Sequence, residues 1–132
     1  MQSFAVRTQK HTEFLDITRQ VQSASTALGL QSGILTIFVP HTTAGITINE
    51  NADPDVTTDI AAALEGAFPW NAEYRHSEGN AAAHVKASLI GSSVQVLVEG
   101  GRLQLGTWQA VYFCEFDGPR SRKVWVAAAP SK

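Results

Sequence analysis

From Ser93 onward the chain is patterned for sheet, and this narrows the folds open to it more than anything else in the sequence. In "SVQVLVE" the residues Val94, Val96 and Val98 fall on one face at the two-residue period of a half-buried strand. "EGGR" follows as a two-glycine hairpin turn. After it come "RLQL", the long "WQAVYFCEF" and "KVWVAAA". Earlier, "SFAVRT" and "EFLDI" read as short strands forming a hairpin pair, and "GILTIFVP" as a β-branched strand buried on both faces. "GITIN" alternates, with Ile46 and Ile48 on one side.

Helical spacing interrupts this pattern in three places. In "TRQVQSASTALG", Ile17, Val21, Ala24 and Leu28 recur on one face, with Thr18 as the cap and Gly29 as the stop. Asp53 and Pro54 read as the N-cap and first residue of a helix lined by Val56, Ile60 and Leu64 and ended by Gly66. A further helix covers "NAAAHVKASLI", between a capping Asn80 and Gly91. About seven or eight strands with two or three helices predict an α+β fold, mostly β and sandwich-like. With 132 residues and no linker or repeat, residues 1–132 are read as a single domain. So many edges in so small a β domain make burial against another subunit a natural remedy.

Composition removes several functional classes. Apolar residues make up 44% and charged residues 17% of the chain, which fits a packed domain rather than a disordered one. A net charge of -2 supplies no footprint for nucleic acid or an anionic membrane. No apolar run is long enough to span a bilayer, and the first residues lack a signal peptide's apolar centre, so a cytoplasmic location is expected. The lone cysteine, Cys114, rules out an intrachain disulfide and reads as a buried, inert thiol.

What remains unexplained by caps and turns is a set of polar residues. His41 leaves a buried strand just after Pro40. His76 lies in the loop "EYRHSEGN", and His84 shares a polar helical face with Asn80 and Ser88. Three imidazoles from a strand end, a loop and a helix can meet as a metal site. A solvated loop histidine and two satisfied polar residues also account for them, and since no pair has a familiar zinc spacing, spacing alone favours that plainer reading over the metal. Asn49 closes the strand after His41, and hairpin pairing of the two strands would bring both to one rim. Asp53 has a sufficient duty as a cap. Lys86, two residues past His84, points to another side of the helix and can contribute only by reaching over. Arg102 is either a phosphate anchor or a solvated turn residue. In "LGTWQ", Gly106 marks a bulge, Trp108 needs a partner for its indole N–H if buried, and Gln109 either faces solvent or supports the site with a hydrogen bond.

Three blocks carry a resemblance to a known family: "HTTAGITINENADPDV" (His41–Val56), "YRHSEGNAAAHVKASLIGSS" (Tyr74–Ser93) and "GRLQLGTWQAV" (Gly101–Val111). The chain resembles the YjbQ family over nearly its whole length. The resemblance implies a homotrimer of sandwich-like α+β domains, and thiamine phosphate synthase activity. It implies a polar cleft containing His41, Asn49, Asp53, His76, His84, Lys86 and Ser88, shaped by Gly106, Trp108 and Gln109.

Two kinds of enzyme and one kind of binding protein follow as expectations. A transferase would join a pyrimidine-methyl pyrophosphate to a thiazole phosphate and release pyrophosphate, with Asp53, Lys86 and Arg102 sharing the cation and phosphate duties and a histidine moving a proton. A metal-dependent phosphoester hydrolase would use His41, His76 and His84 to hold zinc or magnesium and activate water. A non-catalytic module would bind a phosphorylated metabolite with the same groups. In each case the partner is a phosphorylated small molecule.

Overall fold

The computed structural model describes residues 1–132 and has eight strands and three helices, an α+β domain. In chain order these are β1 (Gln2–Arg7), β2 (Glu13–Asp16), α1 (Thr18–Ala27), β3 (Ser32–Phe38), β4 (Ala44–Glu50), α2 (Pro54–Ala67), α3 (Ala81–Ile90), β5 (Ser93–Glu99), β6 (Arg102–Leu103), β7 (Gln109–Glu115) and β8 (Ser121–Pro130). The strands form two antiparallel sheets. One has the order β1-β8-β3-β5-β6 and the other β2-β7-β4. Their facing sides make the core. Leu35 and Ile37 of β3, Val96 and Val98 of β5, and Val124 and Val126 of β8 meet Ile46 of β4 and Val111 and Phe113 of β7. The expected valine stripe of β5 is thus present, with Val94 at its partly buried end. The "EGGR" turn also forms as read, pairing Glu99 with Arg102.

Several sequence expectations give way to tertiary pairing. β1 and β2 do not form a hairpin: β1 pairs with β8 and β2 with β7, in different sheets. The backbone N–H of Thr8 donates to the Arg120 carbonyl at 2.9 Å, prolonging the β1–β8 ladder and carrying the chain away from a return turn. β3 is covered on one face only. Leu35 and Ile37 are sealed, whereas Ile34 and Phe38 are each 38% exposed on the outer face of the five-stranded sheet.

The helix boundaries also need adjustment. Thr18 does not cap α1. Asp16 Oδ1 accepts the Thr18 N–H at 3.0 Å, while Thr18 Oγ1 accepts the Val111 N–H at 2.9 Å and so ties the helix to β7. Asp53 caps α2 as expected, accepting the Asp55 N–H at 2.9 Å. The helix runs through Gly66 to Ala67. Asn80 stands before α3 without capping it: its Nδ2 donates to Asp117 Oδ2 at 2.9 Å, which turns the amide toward Asp117, and its Oδ1 is buried with no partner.

Candidate active site

The site lies at one end of the sandwich, where the chain leaves β3 and where α3 turns into β5. Two backbone bonds hold these segments together. Val39 N–H donates to the Ser92 carbonyl at 2.7 Å, and Ile46 N–H to the Gly91 carbonyl at 3.0 Å. The close approach requires glycine at residue 45, where a Cβ would stand 2.7 Å from the Gly91 carbonyl oxygen. Gly91 itself turns the chain at φ +98°, a conformation that L side chains rarely adopt. The short loop Pro40–Thr43 therefore faces the polar side of α3.

Two adjoining cavities open there, and they share His41, Thr42 and His84. One, of 440 Å³, has no hydrophobic residue in its lining and adds His76, Glu78, Asn80, Arg120 and Arg122. The other, of 370 Å³, is walled by small residues, Ala44, Ala87, Ser88, Gly91 and Ser92. The His76 and His84 rings meet edge to face, with centroids 5.1 Å apart. Glu78 Oε2 lies 3.9 Å from His76 Nε2. His41 Nε2 accepts the backbone N–H of Lys123 at 2.9 Å. Burial, and then the charge of Arg122, hold the His41 imidazole below its ordinary value, with Glu115 opposing them. Ser88 Oγ donates to the His84 carbonyl at 2.8 Å, and so braces the helix beside that ring.

Behind the histidines a buried ion pair joins the two sheets. Arg122 of β8 is 6% exposed and Glu115 of β7 is fully buried. Arg122 Nε donates to Glu115 Oε1 at 2.8 Å and Nη2 donates to Glu115 Oε2 and to Thr43 Oγ1. Thr8 Oγ1 and the Asp117 N–H also donate to this carboxylate, at 2.8 and 3.0 Å. Burial works to raise the Glu115 value, but these donors outweigh it and leave the carboxyl below its ordinary range. Arg122 Nη1 has no partner within the chain, although the residue lines the polar cavity. Asp117 Oδ2 accepts from both Arg120 Nη2 and Asn80 Nδ2, each at 2.9 Å, which sets a second guanidinium at the rim.

The expected site residues divide. His41, His76, His84 and Ser88 come together, whereas Asn49, Asp53, Lys86, Arg102 and Gln109 line neither cavity. Asn49 is remote because β3 and β4 belong to different sheets and never pair. It stands at the other end of β4 from Ala44, about 17 Å along a strand. Its Oδ1 accepts the Glu50 N–H at 2.8 Å. Asp53 is occupied as a cap. Lys86 does not reach over: it is buried, with Nζ 2.5 Å from Oε1 of Glu65 in α2. Arg102 sits in β6 at the sheet edge, and Gln109 Oε1 accepts the Gly106 N–H at 2.8 Å. Trp108 is 63% exposed, so its indole needs no protein partner.

The arginines were missed, yet their signal is present. Val111, Phe113 and Glu115 occupy one face of β7, and Arg122, Val124 and Val126 one face of β8. An ionisable residue ending each apolar stripe marks a pair buried at the sandwich end.

A compact metal cage does not fit these residues. No group of three or more His, Cys, Asp or Glu side chains gathers so as to hold a metal ion. His41 also has its Nε2 committed to Lys123. His76 and His84, with Glu78 beside them, are the residues that would be left to hold a divalent cation, which would offset phosphate charge in this cavity. Cys114, wholly buried, has its thiol value pushed far up and is inert as expected. No helix is long and apolar enough to cross a membrane.

A family model described as UPF0047 protein YjbQ-like matches residues 2–131. The UPF0047 protein YugU of Bacillus subtilis is 52% identical over 127 residues, covering 96% of each chain. A UPF0047 protein of Methanocaldococcus jannaschii is 48% identical over 123 residues, covering 93% of this chain and 89% of its own. A crystal structure of a yjbq/upf0047 family protein from Clostridium acetobutylicum superposes with a TM-score of 0.95 at 53% identity, over 98% of this chain and all of that one.

Proposed function

The chain belongs to the YjbQ-like UPF0047 family, and from that premise we propose that it is an enzyme acting on phosphorylated small molecules, with a thiamine phosphate synthase-like transfer as its reaction. One observation carries the proposal: two cavities, one mostly polar and arginine-bearing and one small-walled, meet at His41 and His84. Two adjoining seats suit a reaction between two substrates.

In the transfer, the thiazole nitrogen attacks the pyrimidine methylene carbon. The new C–N bond forms as the C–O bond breaks, and pyrophosphate leaves with the electron pair. The charge that grows on the departing oxygens falls in the polar cavity. There Arg120 and the free Nη1 of Arg122 supply donors that neutral water would match only after reorganising. His76 and His84, in ring contact, are placed to give a proton to the leaving group. The small-walled cavity receives the thiazole partner. A divalent cation bound together with the pyrophosphate would neutralise part of the leaving group's charge. The phosphate duty assigned to Lys86 and Arg102 passes to Arg120 and Arg122.

Hydrolysis is the second reading, favoured by the His76–His84 contact beside Glu78. Water would then replace the thiazole partner. Incubation with both substrates separates the readings. Thiamine phosphate and pyrophosphate in equal amounts support transfer, orthophosphate release from a lone phosphoester supports hydrolysis, and saturable binding without turnover supports a binding module.

The homotrimer also stands as a proposal. It is supported by the apolar outer face of the five-stranded sheet, where Ile34, Phe38, Leu97 and Trp125 are exposed and Phe38 stacks on Trp125 at 5.8 Å. Light scattering that gives the monomer mass at micromolar concentration would refute it. A cytoplasmic location is proposed with it.

A further inference from the structure

We infer that His41 serves the cleft as a neutral imidazole locked in the Nδ1–H tautomer, donating one hydrogen bond to an anionic substrate oxygen, and that it neither binds metal nor carries the transferred proton. The inference deepens the phosphorylated-substrate proposal and rests on it for the identity of the acceptor.

The lock is a matter of donors and acceptors. A backbone amide can only donate, and the Lys123 N–H donates to His41 Nε2 at 2.9 Å. Nε2 must therefore present its lone pair, which in a neutral ring puts the hydrogen on Nδ1. Neither nitrogen then has a lone pair free for a metal or a proton. Protonation at Nε2 would set one donor against another.

The sheet explains why this amide is available. In the β3–β8 ladder Phe38 stands opposite Trp125, so residue 40 would stand opposite residue 123. β3 ends at Phe38, and the chain turns away through Pro40. The Lys123 N–H is left without a strand carbonyl, and the His41 ring takes its place. Lys123 cannot turn its amide elsewhere, because it is held between buried Arg122 and Val124 and paired in register with Ala5 of β1.

His41 Nδ1 has no partner in the chain, and the ring lines both cavities. Arg122, the residue before Lys123, lines the same polar cavity and has no partner within the chain for Nη1. Consecutive residues of β8 thus supply a guanidinium donor and fix an imidazole donor, an arrangement suited to a phosphate oxygen. Proton transfer is left to His76 and His84, which contact each other.

The test reads the tautomer in the wild-type protein. Long-range proton–nitrogen correlation at neutral pH, with the His41 signal assigned by its loss in His41→Asn, should show hydrogen on Nδ1 and a pyridine-like Nε2. Titration with inorganic pyrophosphate should then shift Nδ1. In calorimetry His41→Ala should weaken pyrophosphate binding roughly ten- to hundredfold. His41→Asn, whose amide nitrogen falls near Nδ1, should recover part of that loss, and His41→Gln, which reaches toward Nε2, should not. Hydrogen on Nε2 would overturn the inference about His41 alone. So would a variant that loses bound zinc while keeping its pyrophosphate affinity. Wild-type protein that binds neither pyrophosphate nor orthophosphate would overturn the parent proposal, whatever the tautomer.

Discussion

Arg122 and Glu115 reach across the gap between the two sheets and pair at the end of the sandwich where the histidines converge, Nε to Oε1 at 2.8 Å. Glu115 is fully buried and Arg122 is only 6% exposed, so each charge depends on the other. Glu115→Gln or Arg122→Met alone should cost about 3–5 kcal/mol in denaturant unfolding, because each strands a buried charge. The double substitution Glu115→Leu with Arg122→Met should recover much of that stability while losing pyrophosphate binding. The Glu115 carboxyl is depressed in the fold, so its contribution is fully present above its ordinary value of 4.5 and is lost as pH falls through the native value. Urea midpoints between pH 7 and pH 3 should decline more steeply in the wild type than in the double variant.

Lys86 and Glu65 predict an asymmetry. Lys86 is buried, whereas the Glu65 side chain is half exposed and also accepts the Trp70 N–H at 2.9 Å. Its hydrogen bond from Lys86, then the one from Trp70, hold Glu65 below its ordinary value. Glu65→Ala strands a buried ammonium and should destabilise by about 3 kcal/mol, while Lys86→Met, which keeps the stem and removes the charge, should stay within about 1 kcal/mol. Lys86→Met should leave the pyrophosphate affinity within a factor of about two. A large loss of affinity there would return Lys86 to the site.

His41 gives stability a dependence of definite sign. Its native value is held below the 6.5 of the unfolded chain, so the unfolded state takes up the proton first as pH falls. The contribution of His41 is complete above pH 6.5 and drains away below it, toward the depressed native value. Urea midpoints at pH 7.5 and 5.5 should differ more in the wild type than in His41→Asn. Equal differences would mean that His41 is not held neutral.

His84 belongs to both cavities, so His84→Ala should cut turnover at least about a hundredfold with the fold intact. Ser88→Ala, which removes the brace on the His84 carbonyl and one hydroxyl from the wall of the smaller cavity, should cost a few-fold, about one hydrogen bond's worth. Matching losses in the two variants would point to damage to α3 rather than to chemistry.

The histidine grouping was legible because each residue sits where its element ends or turns a polar face: His41 after Pro40, His76 among loop formers, His84 in line with Ser88. The residues that the fold does not bring to the two cavities are those whose positions depend on long-range packing. Pairing consecutive strands brings Asn49 to His41, but β3 and β4 lie in opposite sheets, a long-range choice that local alternation does not encode. Charge and the family resemblance suggest a phosphate role for Lys86, and charge beside a glycine turn suggests one for Arg102. Burial against Glu65 and an edge position decide otherwise, and both depend on packing. Arg122 and Glu115 were legible in principle, since each breaks an apolar register.

The most direct test is diffraction from crystals soaked in inorganic pyrophosphate. The account predicts pyrophosphate in the polar cavity, with its oxygens on Arg122 Nη1 and His41 Nδ1 and the His76–His84 pair alongside. Pyrophosphate bound at Arg102 or Lys86 with that cavity vacant would contradict it.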